Sequence, residues 1–304
     1  MNVKFRNNCS IAAFGEDWHK IREFLLANDF RHYSYAQWGF WTTHANLDKS
    51  GLKDVALWEA DGEIVSMVTY DSDGTNGASF FACKEGYEHL KRDMLAYAKD
   101  AFCNKGEWVA IISEQDTGFH HIAAEMGFIP MEDGQENTSI FPLTGQYAAN
   151  ESALQYSLPD GFIISDLEKS YSTEKYAKLF KQAYDELVDN SGFLHPTPED
   201  YGLELNAPYV DKKLKIVVLA PNGDYAAFCG MWYDKRSSFA LVEPVVTSPD
   251  YRKLGLGRAV VLEGVKRCGK LGAKEALVQA SLQFYYSIGF RPYRTTTAWV
   301  PKRK

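Results

Sequence analysis

The sequence predicts an α/β chain built as two tandem domains of one design. Three observations predict it. A strand, a tight glycine loop and a helix follow one another across 239–268. Two pairs of landmarks recur along the chain at nearly equal spacing. In each half an amphipathic helix precedes a β-hairpin.

Taken in order, the first half begins with a helix over 17–27. VALWEADGEIVSMVTY at 55–70 then reads as strand, Asp-Gly turn, strand. FACKEGYEHL follows at 81–90, and Leu90, Met94, Tyr97 and Ala101 fall at the i, i+4, i+7, i+11 spacing of a core-facing helix. The second half repeats the pattern with a helix over 172–187 and a hairpin, IVVLAPNGDYAAFCGM, at 216–231. The turn glycines Gly62 and Gly223 lie 161 residues apart, and Gly127 and Gly289, each inside a Gly-Phe-x-Pro stretch, lie 162 apart. Nearly equal offsets predict duplication. The less regular stretch 145–159 predicts the boundary, giving domains at 1–145 and 160–304 with a linker at 146–159.

Composition sets wider bounds. Of 304 residues, 45% are hydrophobic and 24% charged, as in a water-soluble globular chain. The net charge of −7 argues against general nucleic-acid binding and suits a cationic partner. No apolar stretch reaches membrane-spanning length. The first residues hold no apolar leader region, and the five cysteines form no CxxC pair, so reduced thiols in a cytoplasm are expected. His120 and His121 are adjacent rather than four apart, and no metal site is expected.

The chemistry concentrates in TSPDYRKLGLGRAV at 247–260. A loop entering a helix offers backbone N–H groups and the positive end of the helix dipole, an arrangement that binds phosphate. Gly255 and Gly257 permit close approach and positive φ. Arg252, Lys253 and Arg258 add cationic side chains. The dinucleotide pattern G-x-G-x-x-G fails because its third position is Val260, and G-x-x-x-x-G-K-[ST] fails because Arg258 and Ala259 follow Gly257. An ordinary strand-to-helix turn is the plain alternative. The core [QR]-x-x-G-x-[GA] fits from Arg252 to Gly257, with a lead-in of Val245, Pro249, Tyr251 and Arg252 and the small Ala259 entering the helix. FYYSIGF at 284–290 fits the closing pattern Y-x-x-x-G-F, with Gly289 as helix stop. Over about 163–300 the chain resembles the GNAT N-acetyltransferase superfamily.

That resemblance implies two GNAT-like domains, each with a mixed, mostly antiparallel central sheet flanked by helices. The second sheet would splay between strands near 239–246 and 276–280. The pantetheine arm of acetyl-CoA would pair with the first of these, near Val245 and Val246. Its pyrophosphate would lie on Arg252, Lys253, Leu254, Gly255, Leu256, Gly257, Arg258 and Ala259. A backbone N–H near Val245 or Val246 would receive the oxyanion. Tyr285 would protonate the leaving thiolate, a phenol of ordinary pKa about 10 holding its proton at neutral pH, or would pack against the sulfur. Glu243, on the same strand and beside Pro244, would take the amine proton, bind a cationic substrate or pair with an arginine. Asp185, Glu186, Asp200 and Glu204 are further acidic candidates for the acceptor, which loops at 31–48 and 190–209 would recognise. The aromatic-rich stretch YSYAQWGFW at 33–41 is either a pocket wall or core.

Two departures matter. Only six residues separate Val278 from Tyr285, without the usual Asn or Asp, so a shortened or shifted closing helix is expected. The first copy lacks the G-x-G and its arginine and has Ala123 in place of Tyr285, so one acyl-CoA site per chain is expected. The expected function is N-acetyl transfer from acetyl-CoA to a primary amine of a small molecule. The alternatives are a non-catalytic acyl-CoA-binding or scaffold protein, and a protein N-acetyltransferase.

Overall fold

In a computed structural model of the chain, residues 2–71, 77–103, 107–144, 151–185 and 196–302 are described. They divide into two compact units, Met1–Thr42 with Leu47–Asn137 and Arg294–Lys304, and Thr43–Asn46 with Thr138–Tyr293.

The chain enters the first unit through β1 (Val3–Arg6), α1 (Glu16–Ala27) and α2 (Tyr35–Thr43). The hairpin β2 (Ala56–Ala60) and β3 (Glu63–Asp71) follows, its Asp61-Gly62 turn holding both residues at positive φ as a type I′ turn requires. Then come β4 (Gly77–Cys83), α3 (Lys91–Phe102), β5 (Trp108–Ser113), α4 (Thr117–Glu125) and β6 (Phe128–Pro142). Strands β1 to β4 pair antiparallel in order, and β4 pairs parallel with β5. The aromatic stretch 33–41 is core: Tyr33 and Trp38 are fully buried, and the Tyr33 ring lies 5.2 Å from that of Phe80.

The second unit contains β7 (Ile163–Asp166), α5 (Thr173–Asp185), α6 (Pro198–Leu205), β8 (Lys215–Leu219), β9 (Tyr225–Trp232), β10 (Phe239–Thr247), α7 (Leu256–Lys270), β11 (Glu275–Val278) and α8 (Gln283–Ser287), and the chain ends with β12 (Arg291–Pro301). Strands β7 to β10 pair antiparallel in order, and β10 pairs parallel with β11. Both units therefore run through the same sequence of pairings, with the one parallel pair at the same place. Period-2 alternation along β8 sends Ile216 and Val218 to one face, where α7 packs Val260, Val261 and Val265. It sends Val217 to the other, against Tyr176 and Phe180 of α5 and Tyr201 of α6. A Cβ on Gly264 would stand 2.7 Å from the Met231 side chain, so glycine lets α7 lie close on the sheet.

The units do not part in the expected linker. Ser139–Pro142 of β6 pairs with β11, closing the second unit's sheet, and Thr296–Trp299 of β12 pairs with β5, closing the first. Each closing strand is anchored by burial as well as by its ladder: Phe141 is 1% exposed in the second unit's core, and Ala298 and Trp299 are buried in the first. An alternating strand pattern states that a strand exists but not which edge it completes. Of the expected linker, 146–150 lie outside the described residues; Glu151–Leu154 form a 3₁₀ turn. Among the described residues no helix is long and apolar enough to cross a membrane, and no cluster of three His, Cys, Asp or Glu is placed to hold a metal ion.

Candidate functional site

Strands β10 and β11 separate within the second unit. They pair only from Phe239↔Glu275 to Leu241↔Leu277, β11 ends at Val278, and β10 continues to Thr247. A cleft of about 510 Å³ opens beside the far end of β10. Val245, Val246 and Thr247 form one wall, the glycine loop and the first turn of α7 form the floor, and Tyr184 of α5 and Phe284 of α8 flank it.

The loop geometry follows from its residues. Backbone bonds from Ser248 to the Ala226 carbonyl and from Tyr251 to the Ser248 carbonyl, both 3.0 Å, fix the turn leaving β10. Lys253 (φ 64°) and Gly255 (φ 79°) adopt left-handed conformations that swing the chain into α7. The first intrahelical bond is from the Ala259 N–H to the Gly255 carbonyl, 3.1 Å. Leu256, Gly257 and Arg258 precede it, so their N–H groups have no earlier turn to bond, and Gly255 has no side chain with which to cap them. A Cβ on Gly257 would stand 3.2 Å from Thr247 Oγ1 and 3.5 Å from the Phe284 ring, so any side chain there would fill the floor. Donors, dipole and open floor fit a diphosphate. The Arg258 guanidinium donates to the Gln155 carbonyl at 3.3 Å.

Of the loop residues expected to hold the donor, Arg252, Lys253, Gly255, Leu256, Gly257 and Arg258 line this cleft together with Val245 and Val246. Leu254 points outward, 42% exposed, and Ala259 faces the core, fully buried; neither lines the cleft.

Glu243 and Tyr285 lie off the cleft wall. Tyr285 is 7% exposed and packs edge-on against Phe290 and Phe284, with ring centroids 5.4 Å and 5.0 Å away. α8, at five residues, is short. The α8 residue on the cleft wall is the neighbouring Phe284. Burial, followed by the charge of Glu243, pushes the Tyr285 phenol far above its ordinary range. Burial and the same Glu243 charge push Tyr184 up to about 12. After burial, Glu243 is thus the next influence on Tyr184 in the cleft lining and on Tyr285 outside it.

The remaining acidic candidates divide. Asp200 closes a capping box with Thr197 at the start of α6. Glu204 is 4% exposed and accepts from the Tyr176 hydroxyl at 3.0 Å and the Ala45 N–H at 3.4 Å. Glu186 and the Asp185 side chain lie outside the described residues. Tyr184, Thr247 and Phe284 were absent from the expected set. Tyr184 continues the Tyr176, Phe180 stripe of α5 by one more step of four, which is a readable signal. Phe284 directly precedes Tyr285.

The first unit's counterpart differs. At Gly86 (φ 88°) the Glu88 carboxylate accepts the Gly86 N–H at 3.0 Å, and Lys91 at the start of α3 is paired with Asp116 at 2.7 Å. The chain's own carboxylate occupies that loop, and the Glu88 and Gly86 N–H groups, in that order, hold it below the usual carboxylate range.

Residues 178–290, which contain the cleft, match the acetyltransferase (GNAT) family. Among solved structures, a tandem GNAT protein from the clavulanic acid biosynthesis pathway is 13% identical, with 98% of each chain covered and a TM-score of 0.62. A GCN5-related N-acetyltransferase from Sphaerobacter thermophilus is 12% identical over 98% of this chain and 94% of that one, TM-score 0.59. Saccharomyces cerevisiae N-myristoyltransferase, solved with myristoyl-CoA, is 11% identical over 98% of this chain and 77% of that one, TM-score 0.57. At these identities the likeness is one of fold. No protein of curated function matches the sequence.

Proposed function

We propose, from the premise that residues 178–290 form a domain of the acetyltransferase (GNAT) family within a tandem GNAT fold, that this acyl-CoA-dependent acyltransferase moves an acetyl group from acetyl-CoA to a primary amine of a small molecule. One observation carries the reading. Leu256, Gly257 and Arg258 present their N–H groups over a floor kept open by the missing side chain of Gly257, beside a β10 edge that β11 has released. Amides of a pantetheine arm satisfy that edge, and the loop takes the diphosphate.

The residues divide the chemistry as follows. The amine nitrogen bonds to the thioester carbon. The Val245 or Val246 N–H receives the developing oxyanion. Glu243 takes the amine proton, directly or through one water. As the C–S bond breaks, Tyr285 gives its proton to the thiolate, a transfer that requires the bound donor to relieve the burial that holds the phenol above its ordinary range. The net charge of −7 favours a cationic acceptor.

A second reading is a non-catalytic acyl-CoA binder. The burial of Tyr285, with Phe284 in its place on the cleft wall, favours it. Acetyl-CoA calorimetry combined with thiol-release assays over a panel of small amines, aminoglycosides and peptides tests both. Saturable binding with turnover on a small amine supports the transferase. Binding without turnover on any of them leaves the binder, and no binding refutes both.

A further inference from the structure

The bulge in β10 is held in place by residues that the reaction itself does not use. β10 and β9 are in register at Val242↔Met231 and again at Val245↔Cys229. Two residues of β10, Glu243 and Pro244, therefore stand against the single Gly230 of β9, which is one residue too many for the ladder. Pro244 has no N–H to leave unpaired. The Glu243 carbonyl, turned out of the ladder, accepts the indole N–H of Trp232 at 3.0 Å. Gly230 leaves the room: a Cβ there would stand 2.4 Å from that carbonyl oxygen and 3.0 Å from Pro244 Cδ. The indole is itself backed by Lys215 of β8. The Lys215 ammonium sits 3.7 Å from the centroid of the Trp232 ring and donates to the Met231 carbonyl at 3.3 Å. Lys215 is 2% and Trp232 6% exposed, so both are fixed by packing.

We infer that Trp232, backed by Lys215, is a positioning residue for acyl transfer: its indole N–H pins the Glu243 carbonyl and so sets where the Glu243 carboxylate and the Val245 N–H face the thioester. The inference rests on the acyl-CoA reading of the cleft. It concerns the bulge and not the glycine loop, since neither Trp232 nor Lys215 lines the cleft. The two can therefore fail separately. A ring beneath a desolvated cation is held in orientation as well as in place, and an indole donor reaches where the β9 backbone, one residue short, does not.

The experiment uses acetyl-CoA labelled with ¹³C at the thioester carbonyl and needs no acceptor. The full chain and its Trp232→Phe and Lys215→Met variants are compared by calorimetry, thermal unfolding and ¹³C NMR of the bound carbonyl. Trp232→Phe keeps a ring beside the lysine and removes the donor together with part of the buried ring. In the wild type the bound carbonyl resonance moves downfield of free acetyl-CoA, because the Val245 N–H polarises it. In Trp232→Phe at least half of that displacement disappears while the dissociation constant stays within threefold. Lys215→Met gives a smaller loss in the same direction. An unchanged displacement in Trp232→Phe overturns the inference. So does a loss of affinity and thermal stability in parallel with the displacement in both variants, which is the signature of a merely structural role. A wild type that binds no acetyl-CoA overturns the underlying cleft reading, and the positioning role with it.

Discussion

Thr247 at the end of β10 and Gly257 in the first turn of α7 approach closely: a Cβ on Gly257 would stand 3.2 Å from Thr247 Oγ1, tighter than an ordinary contact. Gly257→Val places three carbons into the floor of the cleft. Acetyl-CoA affinity is expected to fall about 100-fold, about 2.7 kcal/mol. Thermal stability should change far less, because the substituted position is half-buried and opens on the cleft. Calorimetry on the variant checks this, and undiminished affinity would move the diphosphate elsewhere. Gly255→Val tests the other glycine through its φ of 79°, which a β-branched residue resists.

Tyr285→Phe separates acid from core residue. The ring contacts with Phe284 and Phe290 survive, so the unfolding temperature should stay close to that of the wild type. If the phenol protonates the thiolate, kcat falls about 10²-fold, within the usual range for a lost general acid, with KM for acetyl-CoA unchanged. Because burial and Glu243 hold the phenol protonated, no alkaline limb in the wild-type pH–rate profile should belong to Tyr285. Steady-state kinetics over pH 6 to 10 on both proteins gives the answer; an unchanged kcat would assign the residue to packing.

Lys215 gives a stability prediction with a definite sign. Burial brings its ammonium down from 10.5 to about 7. Below pH 7 both folded and unfolded chains hold the proton, and the cost of burying the charge is present in full. As pH rises from 7 towards 10.5 the unfolded chain binds more protons than the folded one. Stability then rises by about 1.4 kcal/mol per pH unit from this residue alone. Relative to the wild type, Lys215→Met should therefore be more favourable at pH 6.5 than at pH 9, by about 2 to 3 kcal/mol. Urea unfolding of both proteins at the two pH values measures it. An equal difference at both would show that the ammonium is solvated.

Much of this was legible from the residues. The nearly equal offsets of Gly62/Gly223 and Gly127/Gly289 announced two copies of one fold, and both units do run through the same strand pairings. The predicted strand at 239–246 is β10, Phe239–Thr247, and the predicted helix at 256–268 is α7, Leu256–Lys270. What escaped has a common cause: it depends on which neighbour a residue meets. Alternation in 139–142 and 296–299 marks strands but not the sheets they close. Nothing near Trp232 in sequence says that its indole faces the Glu243 carbonyl, because that contact exists only through a one-residue slip between β9 and β10. The shift from Tyr285 to Phe284 on the cleft wall turns on the helical phase of α8, which five residues cannot show as a period.

The central claim is a single acyl-CoA site per chain, seated on the Arg252–Gly257 loop, with the Glu88 carboxylate occupying its counterpart in the first unit. Isothermal titration of acetyl-CoA into the wild-type chain and into Gly257→Val tests it most directly. The account predicts saturable binding at one molecule per chain, lost in the variant. A stoichiometry of two, or binding that survives Gly257→Val unchanged, would contradict it.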